Sequence, residues 1–96
     1  MLRVLDTPTF ARVVKKLFAR DKKSVDAAIK KIANDPTLGE EKKGDLAGIF
    51  VYKFKMNKQE VLLSYGLMPG KEHPEALVLL SLGSHENFYS ELKRQL

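Results

Sequence analysis

IFVYKFKMNKQEVLLSYGLM, residues 49–68, is the stretch on which the reading of this chain turns. Upstream of it the apolar residues recur with a helical period; from Ile49 the period drops to two. IFVYKFKM sets Phe50, Tyr52, Phe54 and Met56 on one face, and Ile49, Val51, Lys53 and Lys55 on the other. Such alternation is that of a half-buried strand. Asn57-Lys58 then makes a tight hairpin turn, because asparagine tolerates a positive φ. EVLLSYGLM runs back as the next strand. Beyond it, MPGKEHPE reads as a looser turn and ALVLLSLG, residues 76–83, as a last strand. This last strand is apolar on both faces, as befits a central strand covered from both sides.

Working back toward the start, LRVLD at residues 2–6 is a short first strand. Thr7 can cap a helix whose first position is Pro8, where a missing N–H costs nothing. Phe10, Val13, Val14, Leu17 and Phe18 then form one apolar stripe on a helix of about three turns. Asp21-Lys22-Lys23-Ser24 breaks the pattern and offers two N-caps. A second stripe follows in Val25, Ala28, Ile29, Ile32 and Ala33, ended by Asn34-Asp35-Pro36. Residues 36–48, with three glycines and a cluster of charges, read as an ordered loop. A short helix over residues 86–95 closes the chain. The expected fold is therefore α+β: an antiparallel sheet, an N-terminal helical hairpin packed on one face, and a short C-terminal helix. Ninety-six residues, 44% of them apolar, suit one domain spanning 1–96.

Composition narrows the chemistry. There is no cysteine, hence no disulfide framework and no thiolate metal site, and two separated histidines make a poor zinc site. No metal or cofactor is expected. No run approaches the roughly 18 apolar residues that span a bilayer, and the opening MLRVLDTPTF lacks the apolar core of a secretory signal. A cytoplasmic location is expected. The net charge of +5 comes from the first half, where residues 1–44 hold eleven Lys/Arg against six Asp/Glu. That excess is either a solvated helix surface or a docking face for nucleic acid or an acidic protein segment.

Lys53 and Lys55, two positions apart on one strand face, have Cα atoms about 6.6 Å apart and can converge on phosphate. A pair of solvated lysines on an open sheet face fits the same spacing. His85 follows a buried strand and has a side chain suited to proton transfer near neutral pH, although by spacing alone a helix-start or surface histidine fits better. Tyr89, one helical turn later, can contact phosphate or stack on a base, or anchor the last helix by its ring. Tyr65 joins Tyr89 as a candidate nucleic-acid contact. His73 lies in a turn and carries no assigned role. No P-loop and no nucleophile elbow is present. A metal-free set of lysines, a histidine and tyrosines suits RNA cleavage by its own 2′-OH, with cations stabilising the phosphorane-like transition state.

At these residues the chain resembles the RelE/ParE superfamily of toxins from bacterial type II toxin–antitoxin systems. The likeness runs through nearly all 96 residues and is most specific in KKGDLAG, YKFK and LGSHENFYSELKR. Gly83-Ser84-His85 with Tyr89 is similar to the ending of the YafQ-like branch, where the histidine and the aromatic residue belong to the mRNA-cleaving site. YKFK resembles the lysine-bearing strand of RelE. The resemblance implies a ribosome-dependent mRNA endonuclease with Lys53, Lys55, His85 and Tyr89 in the site, and a cognate antitoxin that wraps and neutralises it. RelE-type nucleases usually place an arginine on the third strand and another near the end of the last. Here EVLLSYGLM and LSLGSHEN have none. This departure opens two alternatives: ParE-type inhibition of DNA gyrase, and a catalytically degenerate toxin-fold protein that only binds partners.

Overall fold

The computed structural model describes residues 2–84, 88–89 and 92–94. Its centre is the hairpin that the alternation predicts. Strands β3 (Ile49–Met56) and β4 (Gln59–Met68) pair antiparallel from Ile49↔Gly66 to Met56↔Gln59. Asn57 and Lys58 take φ of 54° and 65°, the left-handed pair of a two-residue hairpin turn. Strand β5 (Ala76–Ser84) pairs antiparallel with the other edge of β4.

The first strand, β1 (Arg3–Asp6), lies parallel to β5, and a two-residue strand β2 (Glu40–Glu41) lies antiparallel to β3, giving the order β1-β5-β4-β3-β2. The sheet is therefore mixed, not wholly antiparallel as expected. Thr7 shows why β1 runs as it does. Its N–H donates to the Leu79 carbonyl, its hydroxyl donates to the Leu80 carbonyl, and the same hydroxyl accepts from the Phe10 N–H. The end of β1 is thereby fastened beside the middle of β5 while it caps the first helix. Strand β5 is interior, flanked on both sides, although the middle strand of the five is β4.

Helix α1 (Pro8–Lys15) begins at its predicted cap but stops after eight residues, and α2 runs from Ala19 to Asn34. Asp21-Lys22-Lys23-Ser24 does not break the helices; it is the first part of α2. Nothing there interrupts a helix, and an acid in the first turn favours the positive end of the helix dipole. The break falls instead at Phe18, whose extended backbone caps α2 and whose carbonyl accepts from Asp21 and Lys22. Phe18 thus leaves the stripe and is 77% exposed. Residues 36–48, expected as loop alone, contain β2 and a 3-10 turn at Gly44–Leu46.

The two faces of the sheet are covered differently. Phe10, Val25 and Ile32 of the helices pack on Phe50, Val61, Leu63, Tyr65, Leu67, Leu77 and Leu79. On the other face Leu46, Ile49, Val51 and Leu62 gather around Phe88 and Leu92, from helical residues 88–89 and 92–94; the rest of the helix expected over 86–95 lies outside the described residues. A bulge in β5 sets Leu80 between the partners of Ser64 and Tyr65, so Leu80 and Ser81 both face the second side. Ser64 and Ser81 satisfy each other there, with hydroxyl oxygens 2.6 Å apart. Among the described residues no helix is long and apolar enough to cross a membrane.

Burial decides which phenylalanine matters. Phe10→Ala should cost about 3–5 kcal/mol, whereas Phe18→Ser should stay within about 0.5 kcal/mol. Urea denaturation of both variants checks this, and equal losses would place Phe18 in the core.

Candidate functional site

Among the described residues, the second face of the sheet is covered at one end only. Alternation along β3 buries Ile49 and Val51 under Phe88 and Leu92, then brings Lys53 and Lys55 out into solvent beyond that cover. Lys53 lies opposite Leu62 and Lys55 opposite Glu60 on β4. Neither lysine is ion-paired with another described residue.

The strand β2 extends this face sideways. Glu40 pairs with Val51, and the Lys42 N–H donates to the Ile49 carbonyl at 2.8 Å, so both side chains share the parity of Lys53. Glu40, Lys42, Val51 and Lys53 line one open recess of about 300 Å³ together with Leu38, Gly39 and Tyr52. Lys42 forms an ion pair with Glu40, and its ammonium lies 5.3 Å from the centre of the Tyr89 ring. That distance is within reach of a cation–π contact. The hydrogen bond and charge of Lys42 hold the Glu40 carboxyl below its ordinary value, with a smaller contribution from Lys53. Glu40 raises Lys42 in turn, against partial burial, and Tyr89 adds to the rise. Tyr89 also lines a neighbouring recess with Lys43, Asp45, Leu46 and Lys93.

Of the residues expected to act together, Lys53, Lys55 and Tyr89 are on this face. Phe88, buried and edge-on to Tyr89 with ring centres 5.2 Å apart, takes the anchoring role with Leu92. The Tyr89 ring is left partly exposed. His85 lies outside the described residues. His73 is exposed in the turn between β4 and β5.

Tyr65 is a correction. It faces the helices, is 0% exposed and stacks on Phe50 with ring centres 5.4 Å apart, so it cannot meet a nucleic acid. Its hydroxyl donates to the Pro36 carbonyl at 2.8 Å and accepts from the Gly39 N–H at 2.9 Å. Glu40 and Lys42, in contrast, went unread in the sequence. Their signal was parity: they lie two apart, in the run that pairs with β3, but the surrounding glycines and charges read as loop.

A family model described as the ParE-like toxin of type II bacterial toxin–antitoxin systems matches residues 4–93. The chain belongs to the ParE-like toxins. Solved structures similar to this toxin include an arginine-to-alanine double mutant of E. coli RelE in the free state. That likeness has a TM-score of 0.73 at 15% identity and covers 99% of this chain and 97% of that one. RelE in the intact E. coli RelBE toxin–antitoxin complex gives 0.69 at 14%, covering 90% and 99%. The RelE mutant bound to a peptide of the antitoxin RelB gives 0.66 at 16%, covering 94% and 92%. At these identities the likeness is one of fold. No curated protein matches the sequence.

The clamp at Tyr65 yields a two-part test on this ParE-like toxin. Tyr65→Phe leaves the buried Gly39 N–H without its acceptor, and should cost about 1–3 kcal/mol. Burial also raises the Tyr65 hydroxyl above its ordinary value of 10.0. The folded chain then keeps a proton that the unfolded chain releases, so stability is full below about pH 10 and falls as the pH rises further. In urea titrations from pH 8 to 11, the alkaline fall should be smaller in Tyr65→Phe than in the parent.

Proposed function

We propose that this ParE-like toxin is a metal-independent, ribosome-dependent mRNA endonuclease that inhibits translation. The observation that carries the reading is the cationic, partly uncovered sheet face, on which exposed Lys53 and Lys55 lie near Lys42 and the ring of Tyr89. In this reading the RNA 2′-OH attacks the adjacent phosphorus and the 5′-oxygen leaves. Negative charge builds on the non-bridging oxygens in the transition state, and nearby ammonium groups stabilise it more than they stabilise the starting diester. Lys53 and Lys55 hold the phosphate and supply that charge. Tyr89 positions the nucleotide through its ring or hydroxyl. His85 serves as acid or base, in keeping with the resemblance of the Gly83-Ser84-His85 ending to an mRNA-cleaving site. The toxin acts in the cytoplasm and is neutralised by a cognate antitoxin, as RelE structures with RelB suggest by analogy of fold.

A second reading has its own observation. The matching family is described as ParE-like, and β4 brings no basic residue to the face. Under this reading the same surface inhibits DNA gyrase and cleaves nothing.

Induction in growing cells followed by primer extension on translated messages separates the two. The endonuclease reading expects discrete new 5′ ends, lost by at least about tenfold in Lys53→Ala/Lys55→Ala and in His85→Ala. Growth arrest with intact messages, together with loss of supercoiling by purified gyrase, would give the gyrase reading instead.

A further inference from the structure

We propose that Lys42 is an additional RNA-phosphate-binding residue, and that Glu40 is a built-in competitor which the incoming phosphate must displace. The inference rests on the RNA-directed reading of this face and extends its cationic site by one residue from outside β3.

Three observations carry it. First, Lys42 is directed. Its backbone N–H is tied to Ile49, its side chain is half-buried, and its ammonium lies over the Tyr89 ring while ion-paired to Glu40. A lysine fixed on two sides loses less freedom on binding than one in open solvent. Second, Glu40 already offers Lys42 an anion. The two are ion-paired, and both line one recess with Lys53, which adds a smaller attraction on the Glu40 carboxylate. A phosphate oxygen taken up by Lys42 would compete with the Glu40 carboxylate for the same ammonium group. Third, Glu40 can leave. Its side chain is 74% exposed, so it can rotate into water, whereas that of Lys42, 23% exposed, is held by the sheet and the ring. After exchange the Lys42 ammonium keeps its contact with the Tyr89 face. A base or ribose approaching that ring then meets an aromatic surface and a cation together.

Binding, not cleavage, is the readout that isolates this inference. The purified toxin is titrated with a 2′-O-methylated RNA trinucleotide, which cannot be cleaved, while ammonium and aromatic NMR signals and the Kd are followed at several salt concentrations. Lys42 and Tyr89 signals should move together with those of Lys53. Glu40→Gln removes the competitor's charge and should tighten the Kd about two- to fivefold. Lys42→Ala should weaken it and reduce the slope of log K against log salt by about 0.7, the loss of one phosphate contact on a single strand. Lys30→Ala, an exposed lysine on α2, controls for the loss of one positive charge and should change little. Binding with Lys53 signals moving but Lys42 signals unmoved, or equal effects of Lys42→Ala and Lys30→Ala, would overturn the inference and leave the nuclease reading intact. Absence of mRNA cleavage in cells alongside the predicted Lys42 and Glu40 effects would do the reverse.

Discussion

The Tyr65 hydroxyl is the interaction on which the candidate face depends. It lies inside the helix-facing core and reaches the chain just after α2, accepting from Gly39 and donating to Pro36. A buried phenol needs such partners, and here they are the backbone of the one segment that must turn from the helix layer to the sheet edge. The approach is so close that a Cβ at Gly39 would lie 2.8 Å from the hydroxyl oxygen and 3.0 Å from the Val51 carbonyl. Glycine there lets residues 36–39 lie flat against the core, and Glu40–Glu41 then pair with β3. The position of Glu40 and Lys42 beside Lys53 is thus a consequence of a hydrogen bond made on the opposite side of the sheet.

Strand β4 imposes a second constraint. It is the middle strand, and Val61 to Tyr65 are all buried, under the helices on one side and under Phe88, Leu92 and the Ser81 hydroxyl on the other. A charged side chain there would lose its water without a partner, at a cost of several kcal/mol in an apolar setting, so the middle of the sheet carries no cation. Positive charge must come from the flanks: from β3 once it passes the cover of the C-terminal segment, and from the run after β2. The buried stretch of β4 accordingly brings no arginine to this face. It also explains why the candidate site is built of lysines at the edge of a core.

Most of the fold was legible because it rests on local signals. The switch of period at Ile49, the Asn57-Lys58 turn and the Thr7-Pro8 helix start are each contained within a few residues. What escaped depended on distant partners. Phe18 matches the stripe of α1 by spacing, but spacing cannot show that the chain must end one helix and cap the next within three residues. The parallel direction of β1 is set by Thr7 reaching Leu79 and Leu80, more than seventy positions away. Tyr65 reads as a nucleic-acid contact in the sequence, and its place in the core shows only in its burial against Phe50 and its bonds to Pro36 and Gly39. In the candidate site, Lys53 and Lys55 announced themselves by parity within a regular strand. Lys42 gains the same parity only through a two-residue pairing hidden among glycines and charges.

The excess positive charge of the chain is a separate matter from the site. Arg12, Lys15, Lys16, Arg20, Lys23, Lys30 and Lys31 are exposed on α1, its exit and α2, all on the helix side of the sheet. Layers that pack face to face are about 10 Å apart, and exposed charges are largely screened beyond about 8 Å at physiological salt. These residues can therefore steer an anionic partner toward the molecule, but they add little to the field at a phosphate held against β3. That field is set locally by Lys42, Lys43, Lys53, Lys55 and Lys93 against Glu40, Asp45 and Glu60. Two of those acids are already engaged, Glu40 with Lys42 and Asp45 with Lys93. Among the described residues the net positive balance of the face is small, and which of its ion pairs open matters more to its affinity than the overall charge of +5.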